Sequence, residues 1–342
     1  MKIVVLAGGL SPERDVSFSS GTMAANALLS LGHQAILVDL FFGLPEWDGK
    51  TDLFREAKPL PPFRVSESEP DLDALRVSRK VGFNDYIGLN VPELCAQADI
   101  VYMALHGDCG ENGELQAFFD ARGIRYTGSG AEGCRNAMNK WISKQLFERA
   151  GILTPRGICL NVGEPFDSDS LPVPCVVKPC SGGSSIGVSV VQDRSRLYDA
   201  LKLAFSMEPT ILVEEYVKGR ELSCGVLGDA ALPPIEIIPL HGVYDYKNKY
   251  QAGASKEVTP AEIDAEATQR IQSIALEVFH LLGLSVYGRI DYLLTEDGKA
   301  YCLEANTLPG MTPTSLLPQE AAVVGYSYER LCDTIISLSL NK

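Results

Sequence analysis

Apolar and polar positions sort the chain into short β-branched runs closed by glycine and longer stretches with helical spacing. Residues 3–7, IVVLA, are apolar without a break, the pattern of a strand buried on both faces. Gly8-Gly9 opens a loop, the spacing predicts a helix from about Ser19 to Leu31 with Gly32 as its stop, and QAILVDL follows as a second strand. Strand, helix and strand in that order imply a parallel sheet with helices on its faces. Ligands of such sheets gather beyond the carboxyl ends of the strands. A third buried run, DIVYMALHG, ends in His106-Gly107; a polar loop, DCGENG, then leads into a helix predicted from about Glu114 to Arg122. Glu13 and His106 thus both fall at strand ends, where such residues are either functional or simply solvated or bonded at a helix entry. Between 41 and 90 the pattern fades. Pro59, Pro61, Pro62 and Pro70, with the acidic run over 66–73, predict an irregular insertion without assigned chemistry.

The second half reads differently. A helix is expected around Asn136–Ala150, carrying Lys140 and Lys144 and ended by Gly151 and Pro155. In PCVVKPCSGGSSIGVSVV, residues 174–191, two β-rich runs flank a polar loop and Lys178 closes the first run. The lysine precedes the glycines and no helix follows, so this is not a P-loop. The physics is related: Gly182 and Gly183 let backbone N–H groups approach an anion, while Ser184 and Ser185 add hydroxyl donors. A ligand-free hairpin is the other reading. TILVEEYVKGREL, residues 210–222, gives a strand ending in Glu214-Glu215, a glycine turn and then Glu221. That allows a strand edge to pair with a base and a later carboxylate to accept from ribose. HGVYDYKNKYQAG, residues 241–253, lacks periodicity and reads as a lid. An amphipathic helix over 261–282 follows.

Asp297-Gly298, set between apolar runs, is a strong hairpin signal. With a two-residue turn there, Asp291 faces Glu304 and Arg289 faces Asn306, all four on one face. Carboxylates placed opposite each other, about 4.5–5.5 Å apart at Cβ, repel. A divalent cation between them is therefore expected, with the amide oxygen of Asn306 one step on. Oxygen-only donors suit Mg²⁺ or Mn²⁺. An acidic face exposed to solvent is the bland alternative. Pro309 and Gly310 fix the next turn, and Thr312, Thr314 and Ser315 place hydroxyls beside the proposed metal.

Composition narrows the class. At 342 residues, two or three domains are expected, and 46% apolar with 22% charged residues is globular. A formal net charge of −14 argues against nucleic acid or an anionic membrane as partner. Any phosphate must then be held by local lysines, backbone amides and metal. Nine cysteines without a C-x-x-C pair suggest reduced thiols and a cytoplasmic protein. The apolar run after Met1-Lys2 is too short for a signal peptide, and no stretch has the length of a membrane span.

GGLSPERDVS, ALHG, YTGSG, MNKWISKQL, VVKPCSGGSSIGV, YDYKNKY, GRIDYLL and LEANTLPGMTPTSL occur in this order over nearly the whole chain apart from 41–90. As a set they resemble the ATP-grasp enzymes and, within them, the D-alanine–D-alanine ligase family. The resemblance implies an α/β protein: an N-terminal parallel α/β domain over 1–135, then two α+β subdomains, 136–215 and 216–342, that grip ATP. It also implies ATP-dependent joining of two D-alanines through an acyl phosphate, for a peptidoglycan precursor, with D-lactate or D-serine as alternative acceptors. Lys140, Lys178, Ser185 and Lys249 would contact the nucleotide and its phosphates, and Glu214, Val217 and Glu221 the base and ribose. Asp291, Glu304 and Asn306 would hold two Mg²⁺, with Mn²⁺ as an alternative. Glu13 would receive the first ammonium near His106, linked through Ser184 to Tyr250 of the lid. Arg289, Gly310, Ser315 and Leu316 would take the second D-alanine. A homodimer is expected. Asn139, where an acid is more usual, and Cys180-Ser181-Gly182 in the phosphate loop depart from the family pattern.

Overall fold

The computed structural model describes residues 1–66, 69–183, 186–239 and 255–342. Ser184, Ser185, Lys249 and Tyr250, and with them the expected lid, lie outside the described residues. The architecture is α/β, as expected. Three parallel strands, β1 (Lys2–Ala7), β2 (Gln34–Asp39) and β3 (Ile100–Met103), pair in the order β2-β1-β3, with helix α1 (Arg14–Ser30) crossing between the first two. Every side chain of β3 is buried, as are five of the six in β1, so their apolar runs needed no alternation. α1 begins at Arg14, five residues before the predicted start. The polar stretch PERDVS suggested a loop, yet the Arg14 guanidinium is buried against Asp39 at the end of β2 and donates to the Gly9 carbonyl at 2.5 Å. Tertiary partners satisfy the polarity.

The insertion is less irregular than expected. It contains α2 (Leu72–Ser78) and leads into α3 (Val91–Cys95), while Phe54 and Ile87 enter the core. Past β3 come α4 (Glu114–Asp120), α5 (Ala131–Met138) and α6 (Lys140–Ala150). The single helix expected over 136–150 is thus two. Asn139 sits between them in an extended conformation, and its side chain accepts from Trp141 N–H and Ile142 N–H, both at 3.1 Å. That is an N-cap, and it gives this position a structural reason for asparagine.

Two antiparallel sheets follow. β4 (Gly157–Asn161), β5 (Cys175–Pro179), β6 (Ser189–Val191) and β7 (Thr210–Glu215) pair in the order β4-β7-β5-β6, backed by α7 (Leu197–Met207). The second sheet contains β8 (Arg220–Leu227), β9 (Ala230–Ala231), β10 (Ile235–Pro239), β11 (Ser255–Val258), β12 (Tyr287–Leu294) and β13 (Ala300–Asn306). Its order is β11-β10-β8-β12-β13, with β9 beside β8. Helix α8 (Ala265–Leu281) covers one face.

The β12–β13 hairpin corrects the turn while keeping the register. Leu294 pairs with Ala300, and Thr295 N–H donates to Lys299 at 2.9 Å, so 296–298 turn the chain with Gly298 at φ +78°. A three-residue loop ending in a left-handed glycine is the next commonest hairpin after the two-residue form. It shifts the strands by one residue. A bulge between the Tyr292–Cys302 and Asp291–Glu304 pairs shifts them back. Asp291 therefore does face Glu304, and Arg289 faces Asn306.

Helices α9 (Leu316–Val323) and α10 (Tyr328–Leu340) close the chain. Leu331, Cys332, Ile335 and Ile336 of α10 join β1 and β3 in the largest apolar cluster, so the C-terminal helix packs on the N-terminal sheet. Glu320 of α9 is fully buried; one carboxyl oxygen accepts from Gly225 N–H at 3.0 Å, and the other has no hydrogen-bond partner among the described residues. Burial holds its pKa well above the ordinary carboxylate value. A raised native pKa adds stability at low pH that is lost as pH rises towards that pKa, at most about 1.4 kcal/mol per pH unit. Glu320→Gln keeps an acceptor for Gly225 and cannot ionise. Its thermal midpoint should match the parent near pH 5 and exceed it by several degrees near pH 8; a constant gap would mean that Glu320 does not titrate.

Candidate active site

The carboxyl ends of β1 and β3 open into a cavity of about 460 Å³. Glu13, Val16 and Met23 reach it from α1, His106 and Glu111 from the segment after β3, and Arg289, Glu304 and Asn306 from the hairpin. The turn from Leu308 to Leu316 supplies much of the wall, with Ser19, Val65, Gly183 and Glu257 completing it. Ser17 Oγ ties the two strand ends together, accepting from Gly8 N–H at 2.8 Å and donating to the Ala104 carbonyl at 2.7 Å. A Cβ on Gly107 would lie 3.0 Å from a Glu13 carboxyl oxygen, and one on Gly183 would lie 3.3 Å from it. The glycine-rich loop therefore reaches Glu13 at Gly183.

His106 is buried and bonded on both nitrogens. Nδ1 lies 3.0 Å from the Leu308 carbonyl, which can only accept, so Nδ1 carries the proton and Nε2 accepts from Ser20 Oγ at 3.2 Å. Burial lowers its pKa despite the nearby Glu13. Ser20 Oγ also receives Met311 N–H at 3.3 Å, so a neutral His106 and Ser20 together hold both ends of the 308–311 turn. Glu111 is a site residue that sequence reasoning missed. It accepts from Gly107 N–H at 2.5 Å, and burial together with Glu13 pushes its pKa up to about 7. The signal was present in the acidic DCGENG loop directly after a strand end.

A second cavity, of about 480 Å³, lies between the two antiparallel sheets. Val176, Ile186, Val188, Val190, Ile238 and Leu303 make its apolar walls, and Lys140, Lys178, Glu214, Tyr216, Val217 and Glu221 also line it. Apolar walls accompanied by charged side chains of both signs fit a flat base and its charged tail. Glu214 sits between two lysines, 2.7 Å from Lys144 Nζ and 2.6 Å from Lys178 Nζ. Although burial opposes it, those lysines hold the Glu214 pKa below the ordinary value. Lys144 also bonds Thr154 and the Pro155 carbonyl. Its role was missed; it lies one helical turn from Lys140, on the same face.

The cavities meet at Gly183, Arg289 and Glu304. The expected repulsion between Asp291 and Glu304 is absent here, because each carboxylate has its own cation. Arg289 grips Asp291 with two bonds at 2.9 and 2.8 Å, while Ser223 Oγ and Asn306 Nδ2 donate to the same carboxylate. Glu304 lies 3.1 Å from Lys140 Nζ. Against burial, which would lower it, Glu304 raises the Lys140 pKa. Among the described residues no three His, Cys, Asp and Glu side chains converge as a metal centre. The expected set has two carboxylates and an amide, whose nitrogen faces Asp291 and whose oxygen is turned away from it. These oxygens suit a hard cation, and Arg289 and Lys140 supply positive charge on the same carboxylates. Arg289, Ser223 and Asn306 all occupy the Asp291 carboxylate, so a metal bound there would take the place of at least one of these bonds.

Gly310 packs on the hydroxyl of Ser315, which Thr312 N–H also reaches at 3.1 Å, and Leu316 lines the first cavity from the start of α9. Among the described residues no helix is long and apolar enough to cross a membrane.

Comparison with known proteins places the sequence and the fold. Residues 2–129 match the family described as D-ala D-ala ligase N-terminus, and residues 164–337 match D-ala D-ala ligase C-terminus. A D-alanine–D-alanine ligase of Pediococcus pentosaceus is 43% identical over 98% of this chain and 97% of its own. One from Halalkalibacterium halodurans is 36% identical over the full length of both. The crystal structure of a D-alanine–D-alanine ligase from Bacillus anthracis complexed with ATP superposes with a TM-score of 0.75 at 31% identity, covering 100% of this chain and 98% of that one.

Proposed function

The chain belongs to the D-alanine–D-alanine ligase family, and we propose that the two cavities joined at Arg289 and Glu304 perform that family's reaction with the residues placed there. It joins two D-alanines to D-alanyl-D-alanine at the expense of ATP, for peptidoglycan precursor synthesis. The observation that carries the residue assignment is the junction itself: a polar pocket ending in Glu13 and an apolar slot with lysines at its end share one wall.

ATP takes the slot between the sheets, with Val217 and Glu221 at the base and ribose and Lys140 and Lys178 at the phosphates. Glu214 holds Lys178 in place from below. The first D-alanine sets its ammonium on Glu13, and its carboxylate attacks the γ-phosphate, giving an acyl phosphate and ADP. Asp291, Glu304 and Asn306 would hold Mg²⁺ or Mn²⁺, which offsets phosphoryl charge when bound. Arg289, released from Asp291, then meets the oxyanion as the second amine attacks the acyl carbon, with the Gly310 N–H as second donor. Ser315 and Leu316 position that second D-alanine. Water has to be kept from the acyl phosphate; the 241–253 segment is assigned as the lid, with Lys249 at the phosphate and Tyr250 joined through Ser184 to Glu13. Ser185 is assigned to the phosphates.

We propose domains at 1–135, 136–215 and 216–342. All nine cysteines are free, which supports a reducing, cytoplasmic setting. A homodimer is expected, and sedimentation of the purified chain reads it directly. The deciding experiment supplies ATP, Mg²⁺ and D-alanine with D-alanine, D-serine or D-lactate as acceptor. Dipeptide and ADP in equal amounts are expected, with D-alanine preferred; no acceptor-dependent ADP release would overturn the reading.

A further inference from the structure

We propose that Glu111 and Tyr328 are positioning residues of the acyl-transfer step, holding the main chain on either side of Gly310 so that its N–H keeps one place in the site. The inference rests on the reading above, in which that N–H meets the oxyanion. Leu308 and Met311 flank the pair Pro309-Gly310, and side chains bond each of them at both backbone groups. At Leu308, the carbonyl receives His106 Nδ1–H at 3.0 Å, and the N–H is taken by the Glu111 carboxylate. The same carboxylate accepts from Gly107 N–H at 2.5 Å, next in the chain to His106. At Met311, the N–H goes to Ser20 Oγ at 3.3 Å and the carbonyl receives the Tyr328 hydroxyl at 2.5 Å. These four side chains come from α1, the segment after β3, and α10. Leu308 and Met311 join residues of all three in the largest apolar cluster.

Pro309 has no N–H, so Gly310 carries the one main-chain donor between the two anchored residues. Gly310 lines the first cavity, and among the described residues its N–H has no hydrogen-bond acceptor. An oxyanion donor must be in place before charge develops, about 2.7–3.1 Å from where the oxygen will sit. Displacing a reacting group by about 1 Å, even from a change remote from the chemistry, can cost about 100-fold. Four tethers around two residues prevent such a displacement, and loss of one frees an end of the turn. The two proposed tethers differ in what else they touch. Tyr328 is not among the described residues that line either cavity, so its hydroxyl acts on the reaction only through Met311. Glu111 also lines the first cavity and brings a carboxyl group there. Tyr328 is therefore the cleaner probe, and Glu111 tests the other end of the turn.

The test follows the fate of the acyl phosphate. In ATP carrying heavy oxygen at the β–γ bridge, reversal of the first step moves the label to a non-bridging β position. Amine attack instead forms the new C–N bond and expels phosphate, which ends the exchange. The ratio of label exchange to dipeptide formed, with D-alanine as both substrates, thus reads the second step against the first. In Tyr328→Phe, dipeptide turnover should fall at least about tenfold and the ratio should rise by a similar factor. KM for ATP should stay within about twofold of the parent, because the nucleotide slot is untouched. Glu111→Gln keeps the size but puts an amide nitrogen where the second carboxylate oxygen stood, and should move the ratio in the same direction. Each change removes a single hydrogen bond, so both chains should fold, as their thermal midpoints will show. Ratios within about twofold of the parent in both variants would overturn the inference. So would equal losses of exchange and of dipeptide, the result of a merely structural role. A parent chain that releases no ADP with D-alanine would instead overturn the functional reading.

Discussion

Replacing Glu304 by glutamine should lower turnover on the order of 10³-fold or more while the chain stays folded. The carboxylate lies where both cavities meet, so in the proposed reaction it would serve the phosphoryl end of one substrate and the acyl end of the other. It is also the carboxylate that Lys140 contacts at 3.1 Å, and Lys140 bonds the Gly182 carbonyl in the glycine-rich loop. Glutamine fills the same space but removes the charge that a divalent cation and the lysine both need. The bulged hairpin keeps Asp291 opposite, still bonded by Arg289, so no bare charge is left on that strand. Stability should fall modestly, about 1–2 kcal/mol, because the Lys140–Glu304 pair is partly buried rather than exposed. Steady-state ADP release across a Mg²⁺ titration, with the thermal midpoint measured alongside, separates the effects. Near-normal turnover at low Mg²⁺ would remove Glu304 from the metal and phosphoryl site.

Glu214→Ala should be the most destabilising single change at the site, costing about 3–5 kcal/mol. Its side chain is 4% exposed and sits between Lys144 and Lys178, at 3% and 10%. Removing the carboxylate leaves two buried cations facing each other. Against a total stability of about 5–15 kcal/mol, that loosens the sheet that carries the nucleotide slot. Adding Lys144→Met to the variant should recover much of the loss, because it removes one of those uncompensated charges. Urea denaturation of the single and double variants forms the cycle that measures the coupling. Because the lysines depress the Glu214 pKa, its share of stability is present above the unfolded carboxylate value of about 4.3 and is lost as pH falls through the lower native one. The parent should therefore lose more stability than Glu214→Gln on acidification below about pH 4. Strictly additive losses would show that Glu214 and Lys144 are not coupled.

Much of the site was legible from residue type and order. A buried strand closed by glycine places the next polar residue at a ligand-binding edge, which singles out Glu13 and His106 before any contact is known. Alternation along the two strands put Arg289, Asp291, Glu304 and Asn306 on one face. That reading survived an error in the turn because loop and bulge offset each other, and neither has a sequence period of its own. Glu111 and Lys144 were in view as residues but had no assigned role, since what makes each matter is a partner far away in sequence or the loss of water around it.

Sequence by itself determined the α/β class, the strand ends, the hairpin and the kind of chemistry its residue types suit, because these depend on periodicity and on groups a few positions apart. Tertiary structure alone decided that Asn139 breaks one helix into two, that Arg289 is spent on Asp291, and that Glu214 is shared by two lysines. It also decided that Val65, from the region 41–90, becomes part of a cavity wall. The Asn139 cap and the Arg289–Asp291 pair join neighbours in sequence whose conformation the folded surroundings select, whereas the sharing of Glu214 depends on a close approach between distant segments, where burial strengthens charge interactions and leaves no water to substitute for a missing partner. No local pattern in the sequence encodes such an approach.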